Sequence, residues 1–192
     1  MQALERQFKL NKGYLKTTGL SRVLRYQLDK LIAADRVYKI RHGLYADREY
    51  MRGHEISIVA EIIPNGVFCL FTAWQKYGFT TTVSHQYHIA LHRNTKVSVP
   101  NYPPVAIYYW SEKIYRLGIT VVKKHGKDLN FYDRERSVCD AVKFRNKVGE
   151  DIMQEVIKAY LTQKHKNIDK LMQYAKVLRV EKILTPYLKA FL

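Results

Sequence analysis

The side chains best suited to engaging a charged polymer lie between Lys12 and His42. Arg22, Arg25, Tyr26, Asp29 and Lys30 fall on one phase of a helical repeat, a set that reaches phosphates and base edges when a helix lies in a major groove. Arg25 and Tyr26 are the expected base contacts. Gln27 becomes a candidate for two-point recognition of adenine if the helix is rotated by one residue. Around them, Lys12, Lys16, Thr17, Lys39, Arg41 and His42 are suited to holding phosphates, contacts that fix register without reading sequence. The competing reading is a solvated charged face on a small surface subdomain.

Three other constellations could carry chemistry. His85, His88 and His92 have metal-like spacing. On a strand, however, His85 points away from the other two, and no Cys or carboxylate adjoins them, so ordinary sheet histidines are the preferred reading. Asp133, Glu135, Asp140 and Lys143 have the composition of a nuclease centre for metal-assisted phosphodiester cleavage. Their segment has a helical period, which makes Asp140 and Lys143 an i, i+3 surface ion pair instead. Cys139 adjoins Asp140 with His125 distant in sequence, and reads as a buried structural thiol. The expectation is no catalytic residue, no cofactor and no metal, with a metal-dependent nuclease as the enzymatic alternative. Lys143, Arg145 and Lys147, near Arg134 and Arg136, form a second basic knot: a solvated helix face or a second nucleic-acid contact.

The elements that must position the first set can be read from periodicity. Leu24, Leu28, Leu31 and Ile32 recur at i, i+4, i+7 and i+8, the stripe of a helix facing a core. Leu4 and Phe8 mark a short helix packed on it, and Asn11-Lys12-Gly13 ends that helix. A short helix capped by Thr17 or Thr18 is expected next, turning into the recognition helix at Ser21 or at Val23. After Asp35 the period becomes two, and His42-Gly43 suits a two-residue hairpin turn in which both residues tolerate positive φ. That register sets Ile40 opposite Tyr45 and Arg41 opposite Leu44, with Tyr38, Ile40 and Tyr45 inward and Lys39 and Arg41 at the rim. Helix, turn, helix and hairpin make a winged helix-turn-helix over 1–48, and the polar stretch Asp47 to Gly53 reads as a linker.

Residues 54–192 read as a mixed α+β domain. A helix over Glu55 to Ile63 stops at Pro64-Asn65-Gly66, and a buried helix is expected over Val67 to Tyr77. Strands follow in Val83 to Leu91, Val105 to Trp110, Ile119 to Val122 and Leu129 to Tyr132. The last sixty residues have a helical period in four pieces, the third capped by Asn167.

Composition narrows the partner. With 33 Lys+Arg against 17 Asp+Glu the net charge is +16, and 47% apolar residues supply a core. Residues 1–48 hold 11 basic and 4 acidic side chains, so the charge density is highest where the helix and hairpin are expected. A polyanion is favoured over an acidic protein. No apolar run of membrane-spanning length and no leader with a cleavage site is apparent, so a cytoplasmic protein without a membrane partner is expected. Two cysteines, Cys69 and Cys139, do not make a disulfide framework.

GYLKTTGL at Gly13 to Leu20, QLDKLIAADRVYKIRHGLY at Gln27 to Tyr45, IIPNGVFCLFTAWQKYGFTT at Ile62 to Thr81 and YDRERSVCDAVKFRNKVGEDIMQEVIKAYL at Tyr132 to Leu161 together resemble the AbiEi family of type IV toxin–antitoxin antitoxins. The pieces run in the family's order along nearly the whole chain, with a shorter interval between Thr18 and Leu28. The resemblance implies a transcriptional autorepressor whose amino-terminal winged helix binds repeats in its own promoter. It also implies a second domain that neutralises a nucleotidyltransferase-like toxin, and an RNA substrate of that toxin as a further candidate for the basic knot. A nuclease, or an RNA-binding or protein-interaction module targeted by a winged helix, is the alternative.

Overall fold

The computed structural model describes residues 2–11, 13–99 and 102–191. Lys12, expected to hold a phosphate, lies outside the described residues. The fold is mixed α+β, as the periodicities predict, and divides into two compact units: Met1–Pro64 with Ser98–Pro103, and Asn65–Val97 with Pro104–Leu192. Among the described residues no helix is long and apolar enough to cross a membrane.

In the first unit, Leu4 and Phe8 of α1 (Gln2–Leu10) are buried against Leu28 and Leu31 of α2 (Arg22–Ala33). Leu15 of β1 (Tyr14–Lys16) and Val37 of β2 (Val37–Arg41) complete this core, and Leu24 and Ile32 pack at its margin. The apolar stripe therefore faces inward and fixes the rotation of α2. Arg22, Arg25, Tyr26 and Lys30 are exposed. Gln27, about 200° around the helix from Arg25, is half-buried with Oε1 enclosed and without a hydrogen-bond partner among the described residues. The one-residue rotation that would turn Gln27 outward is not adopted, because it would expose Leu28 and Leu31.

The expected short helix before α2 is a turn at Thr18–Gly19. Gly19 takes φ +81°, which interrupts a right-handed helix, and Leu20 N–H returns to the Thr17 carbonyl at 3.2 Å. The cap is Ser21, not Thr17 or Thr18: its Oγ accepts from Leu24 N–H at 3.3 Å.

β3 (Leu44–Asp47) lies between β1 and β2 in an antiparallel sheet of order β1-β3-β2. Arg41 is opposite Leu44 as expected, but a bulge between Lys39 and Arg41 pairs Tyr45 with Lys39 rather than with Ile40. Without it, fully buried Ala46 would face Lys39, whose ammonium must stay in water; the extra residue aligns Ala46 with Tyr38 instead. Gly43 alone takes positive φ in the turn, at +73°, whereas His42 does not. The stretch expected as a linker holds α3 (Arg48–Met51), capped by Asp47 Oδ1, which accepts from Glu49 and Tyr50 N–H at 2.8 and 3.1 Å. α4 (Glu55–Ile62) follows within the same unit.

The second unit is a five-stranded sheet of order β6-β5-β4-β8-β7. Its strands are β4 (Val67–Phe68), β5 (Tyr87–His92), β6 (Val105–Trp110), β7 (Ile119–Lys124) and β8 (Lys127–Tyr132). β4–β8 and β5–β6 are parallel and the other neighbours antiparallel. Val67 to Tyr77 is not one helix: Val67 and Phe68 pair on both sides as a central strand, and α5 is Leu70–Tyr77. α6 (Glu112–Arg116), unforeseen in the sequence, precedes β7. α7 (Arg134–Val148), α8 (Glu150–Leu161), α9 (Ile168–Leu178, capped by Asn167) and α10 (Glu181–Phe191) supply the helical layer. Trp74, Phe79, Tyr132, Val138, Cys139, Met153, Tyr160 and Leu171 are buried in one cluster. Polar groups within it are satisfied locally: Trp74 Nε1 donates to the Ser137 carbonyl at 2.9 Å and Tyr160 Oη to Glu135 Oε1 at 3.0 Å. Gly118, at φ +77°, admits no side chain, since a Cβ there would lie 2.8 Å from Arg136 Cβ.

Candidate nucleic-acid interface

Three chain segments meet around a groove of about 710 Å³ on the first unit. Its lining includes Lys16 at the end of β1 and Thr17 just after it, Arg25 and Asp29 from α2, and Lys39, Arg41 and His42 from the hairpin. Six residues expected from the sequence to contact nucleic acid are thus brought together, although they span Lys16 to His42 in the chain. The joint is backbone: Thr17 N–H donates to the Gly43 carbonyl at 2.9 Å, which holds the end of β1 against the hairpin turn.

Charge in this region is divided unevenly. Arg36 pairs with Glu5 at 3.1 Å and Arg48 with Asp35 at 2.5 Å, so both are neutralised inside the unit. Among the described residues Lys16, Arg25, Lys39 and Arg41 meet no carboxylate, and they line the groove with Asp29 as its one acidic member. Four cations with one carboxylate leave a surplus that an external polyanion can neutralise, releasing its own counterions.

Arg22, Tyr26 and Lys30 are exposed further around α2 and do not line the groove. Tyr26 is 62% exposed, and Lys30 Nζ lies 4.7 Å from its ring centroid, so the ammonium and the ring form one projecting unit. Two features are not evident in the sequence. Val23 is 66% exposed on α2, an apolar group of the kind that contacts a thymine methyl. Thr18, expected only as a cap, lines the groove. Periodicity gives no signal for either, since exposure at a helix terminus is set by tertiary contacts on both sides of the turn.

The second basic set is not one surface. Arg136 is completely buried: Nε donates to Asp140 Oδ1 at 2.9 Å, Nη1 to the carbonyls of Ile114 and Leu117 at 2.6 and 3.1 Å, and its guanidinium lies 4.1 Å from the Tyr132 ring centroid. It therefore leaves the set. Lys143 donates to the Leu178 carbonyl at 3.3 Å and Arg145 to the Val142 carbonyl at 3.1 Å, while Lys147 is exposed with Nζ 5.7 Å from the Phe144 ring. Nine residues of helix set Arg134 and Lys143 about 180° apart on α7.

Asp140 is corrected likewise. It is 1% exposed and its partner is Arg136 at i−4, not Lys143 at the surface. Burial pushes its carboxyl up, against the adjacent Arg136 guanidinium, which favours the ionised form. Enclosed in this way, its oxygens face no space that a phosphodiester could enter. Glu135, also buried, accepts from Tyr160, and Asp133 caps α7 by accepting from Arg136 N–H at 2.8 Å.

His85 precedes β5 and is exposed, whereas His88 is buried. Ser84 Oγ donates to the Gln86 carbonyl, so His88 Nε2–H donates to Ser84 Oγ at 3.0 Å and Nδ1 accepts from Tyr108 O–H at 2.9 Å. Burial pulls this imidazole down to about 4, a neutral packed histidine. His92 faces Glu112 at 3.3 Å. Cys69 and Cys139 are buried free thiols that burial pushes up, which suppresses the nucleophilic thiolate. No protein-family model and no curated protein matches this sequence.

Proposed function

We propose that the protein is a non-enzymatic DNA-binding regulator whose first unit works as a winged helix: α2 enters the major groove and the β2–β3 hairpin lies along the backbone. The observation that carries this reading is the groove between α2 and the hairpin, whose cations Lys16, Arg25, Lys39 and Arg41 have no carboxylate partner among the described residues. Supporting it is the exposed face of α2, where Arg22, Tyr26 and Lys30 stand clear of the core. Arg25 and Tyr26 read bases; Lys16, Thr17, Lys39, Arg41 and His42 hold phosphates. On the resemblance to AbiEi antitoxins, the duplex is the protein's own promoter. The second unit then carries the antitoxin activity against a nucleotidyltransferase-like toxin in the cytoplasm.

Fluorescence anisotropy with the upstream DNA and with a scrambled duplex, over a range of salt concentrations, tests the DNA reading. Neutralisation of at least four phosphates gives a slope of log K against log salt of about −3.6 or steeper. Equal affinity for both duplexes, or full binding by Arg25→Ala/Lys39→Ala, would sink it. Co-expression with a growth-inhibiting nucleotidyltransferase-like toxin tests the antitoxin activity, which predicts restored growth.

A further inference from the structure

Among the described residues, Asp29 is the one carboxylate lining the groove of the first unit, where it stands with Lys16, Arg25, Lys39 and Arg41. It is exposed, and among the described residues it meets no cation at ion-pair distance. The two cations nearest to it on α2 do not neutralise it. Lys30 lies over the Tyr26 ring at 4.7 Å. Arg25 stands one turn earlier, so the pair would run in the weaker i, i+4 order, with the cation nearer the amino terminus. Nor does the helix use the carboxylate at its start: Ser21 provides the cap, and Asp29 lies beyond the first turn, where the helix dipole would favour an acid. Stability therefore gives no account of Asp29. Affinity for phosphate counts against it, because an uncompensated negative charge repels every phosphate near it.

Helical phase sets Asp29 between Arg25 and Tyr26, about 40° around α2 from the first and about 60° from the second, and about 6 Å along the axis from Arg25. The inference drawn from this placement rests on the winged-helix reading, in which α2 lies in the major groove. Lys16, Lys39 and Arg41 then draw the DNA backbone to the strand and hairpin side, while the Asp29 carboxylate repels it from the α2 side. What remains in front of Asp29 is a base edge. A carboxylate only accepts hydrogen bonds, and the major-groove edge donates only from cytosine N4 and adenine N6. Adenine carries the N7 acceptor beside its donor, which repels a carboxylate; cytosine presents its amino group with no acceptor on the same base. We propose that Asp29 is a specificity-determining residue that accepts from the N4 amino group of a cytosine and rejects guanine and thymine, whose edges present acceptors.

The test is selection from a randomised duplex library with the full chain and with its Asp29→Ala, Asp29→Asn and Arg25→Ala variants. Fluorescence anisotropy then compares duplexes that differ from the selected one at a single base pair. The unsubstituted chain should enrich cytosine at one position. Asp29→Ala should lose about tenfold of the discrimination there, and in Asp29→Asn the preference should pass to adenine, whose N6 and N7 suit a side-chain amide. Affinity for a scrambled duplex should rise in both variants, since a charge that repels phosphate is gone. Asp29 is exposed and unpaired among the described residues, so thermal unfolding of the two variants should match that of the unsubstituted chain. A profile unchanged in shape, with every duplex bound more tightly by a common factor, would make Asp29 a solvated charge and overturn the proposal. A change confined to the position that Arg25→Ala also loses would overturn it too, since Asp29 would then only orient Arg25. If the unsubstituted chain enriched no sequence at all, the winged-helix reading itself would fall, and this proposal with it.

Discussion

The backbone N–H of Thr17 donates to the carbonyl of Gly43 at 2.9 Å, across a stretch of chain that contains all of α2. This bond joins the residue just after β1 to the hairpin turn, and so fixes Lys16 and Thr17 beside Lys39 and Arg41. Gly43 holds φ +73°, where a β-branched side chain is strained by roughly 1–2 kcal/mol. Gly43→Val should therefore loosen the groove and weaken duplex binding several-fold while circular dichroism of α2 and of the second unit stays unchanged. Undiminished affinity would mean that the hairpin does not touch DNA.

Arg25 and Lys39 line the same groove but from different elements, and their losses should differ in kind. Lys39→Ala is expected to weaken promoter and scrambled DNA alike and to reduce the salt slope by about one. Arg25→Ala should cost about 1–3 kcal/mol on the preferred sequence and less elsewhere. Paired anisotropy titrations on the two duplexes separate these outcomes.

Ser21 Oγ accepts from Leu24 N–H at the start of α2, whereas neither Thr17 nor Thr18 caps it. Ser21→Ala should cost about 1 kcal/mol of stability, and Thr18→Ala much less. Urea denaturation of the two variants checks the assignment.

Arg136 and Asp140 are buried together, so removing one partner leaves an uncompensated charge or an unpaired carboxyl. Arg136→Met is expected to cost about 3–5 kcal/mol, while Arg136→Met/Asp140→Leu should recover much of that loss. A double-mutant cycle in guanidinium chloride measures the coupling. Additive losses would show that the pair contributes little to the fold.

His88 titrates near 4 in the folded chain against 6.5 ordinarily. On acidification the unfolded chain takes up the proton first, so the contribution of His88 is complete above about pH 6.5 and lost between 6.5 and 4. The expected loss is about 1–3 kcal/mol over that window. His88→Gln should flatten the fall in Tm of the second unit between pH 7 and pH 5; an unchanged pH profile would assign the effect to other groups.

Some of this architecture was legible in periodicity. The stripe Leu24, Leu28, Leu31 and Ile32 located α2 and its rotation, because burying those residues leaves only one way to orient the charged ones. The helical repeat announced α7 to α10, and the run Ile107 to Trp110 announced β6. Val67 and Phe68 misled because a buried two-residue strand and the start of a buried helix are both simply apolar. The bulge at Ile40 was invisible because it depends on which residues of β3 are buried.

The sequence by itself determined that a cationic helix and a cationic hairpin exist and which of their side chains stay in water, since local period and the cost of burying charge decide both. Only the tertiary structure decided which of those charges remain uncompensated. Arg136 looks like Arg25 in one dimension, yet among the described residues packing delivers a carboxylate and two carbonyls to the first and none to the second. Ion pairing depends on distance in space, and residues such as Lys16 and Arg41 become neighbours only when the chain closes on its core.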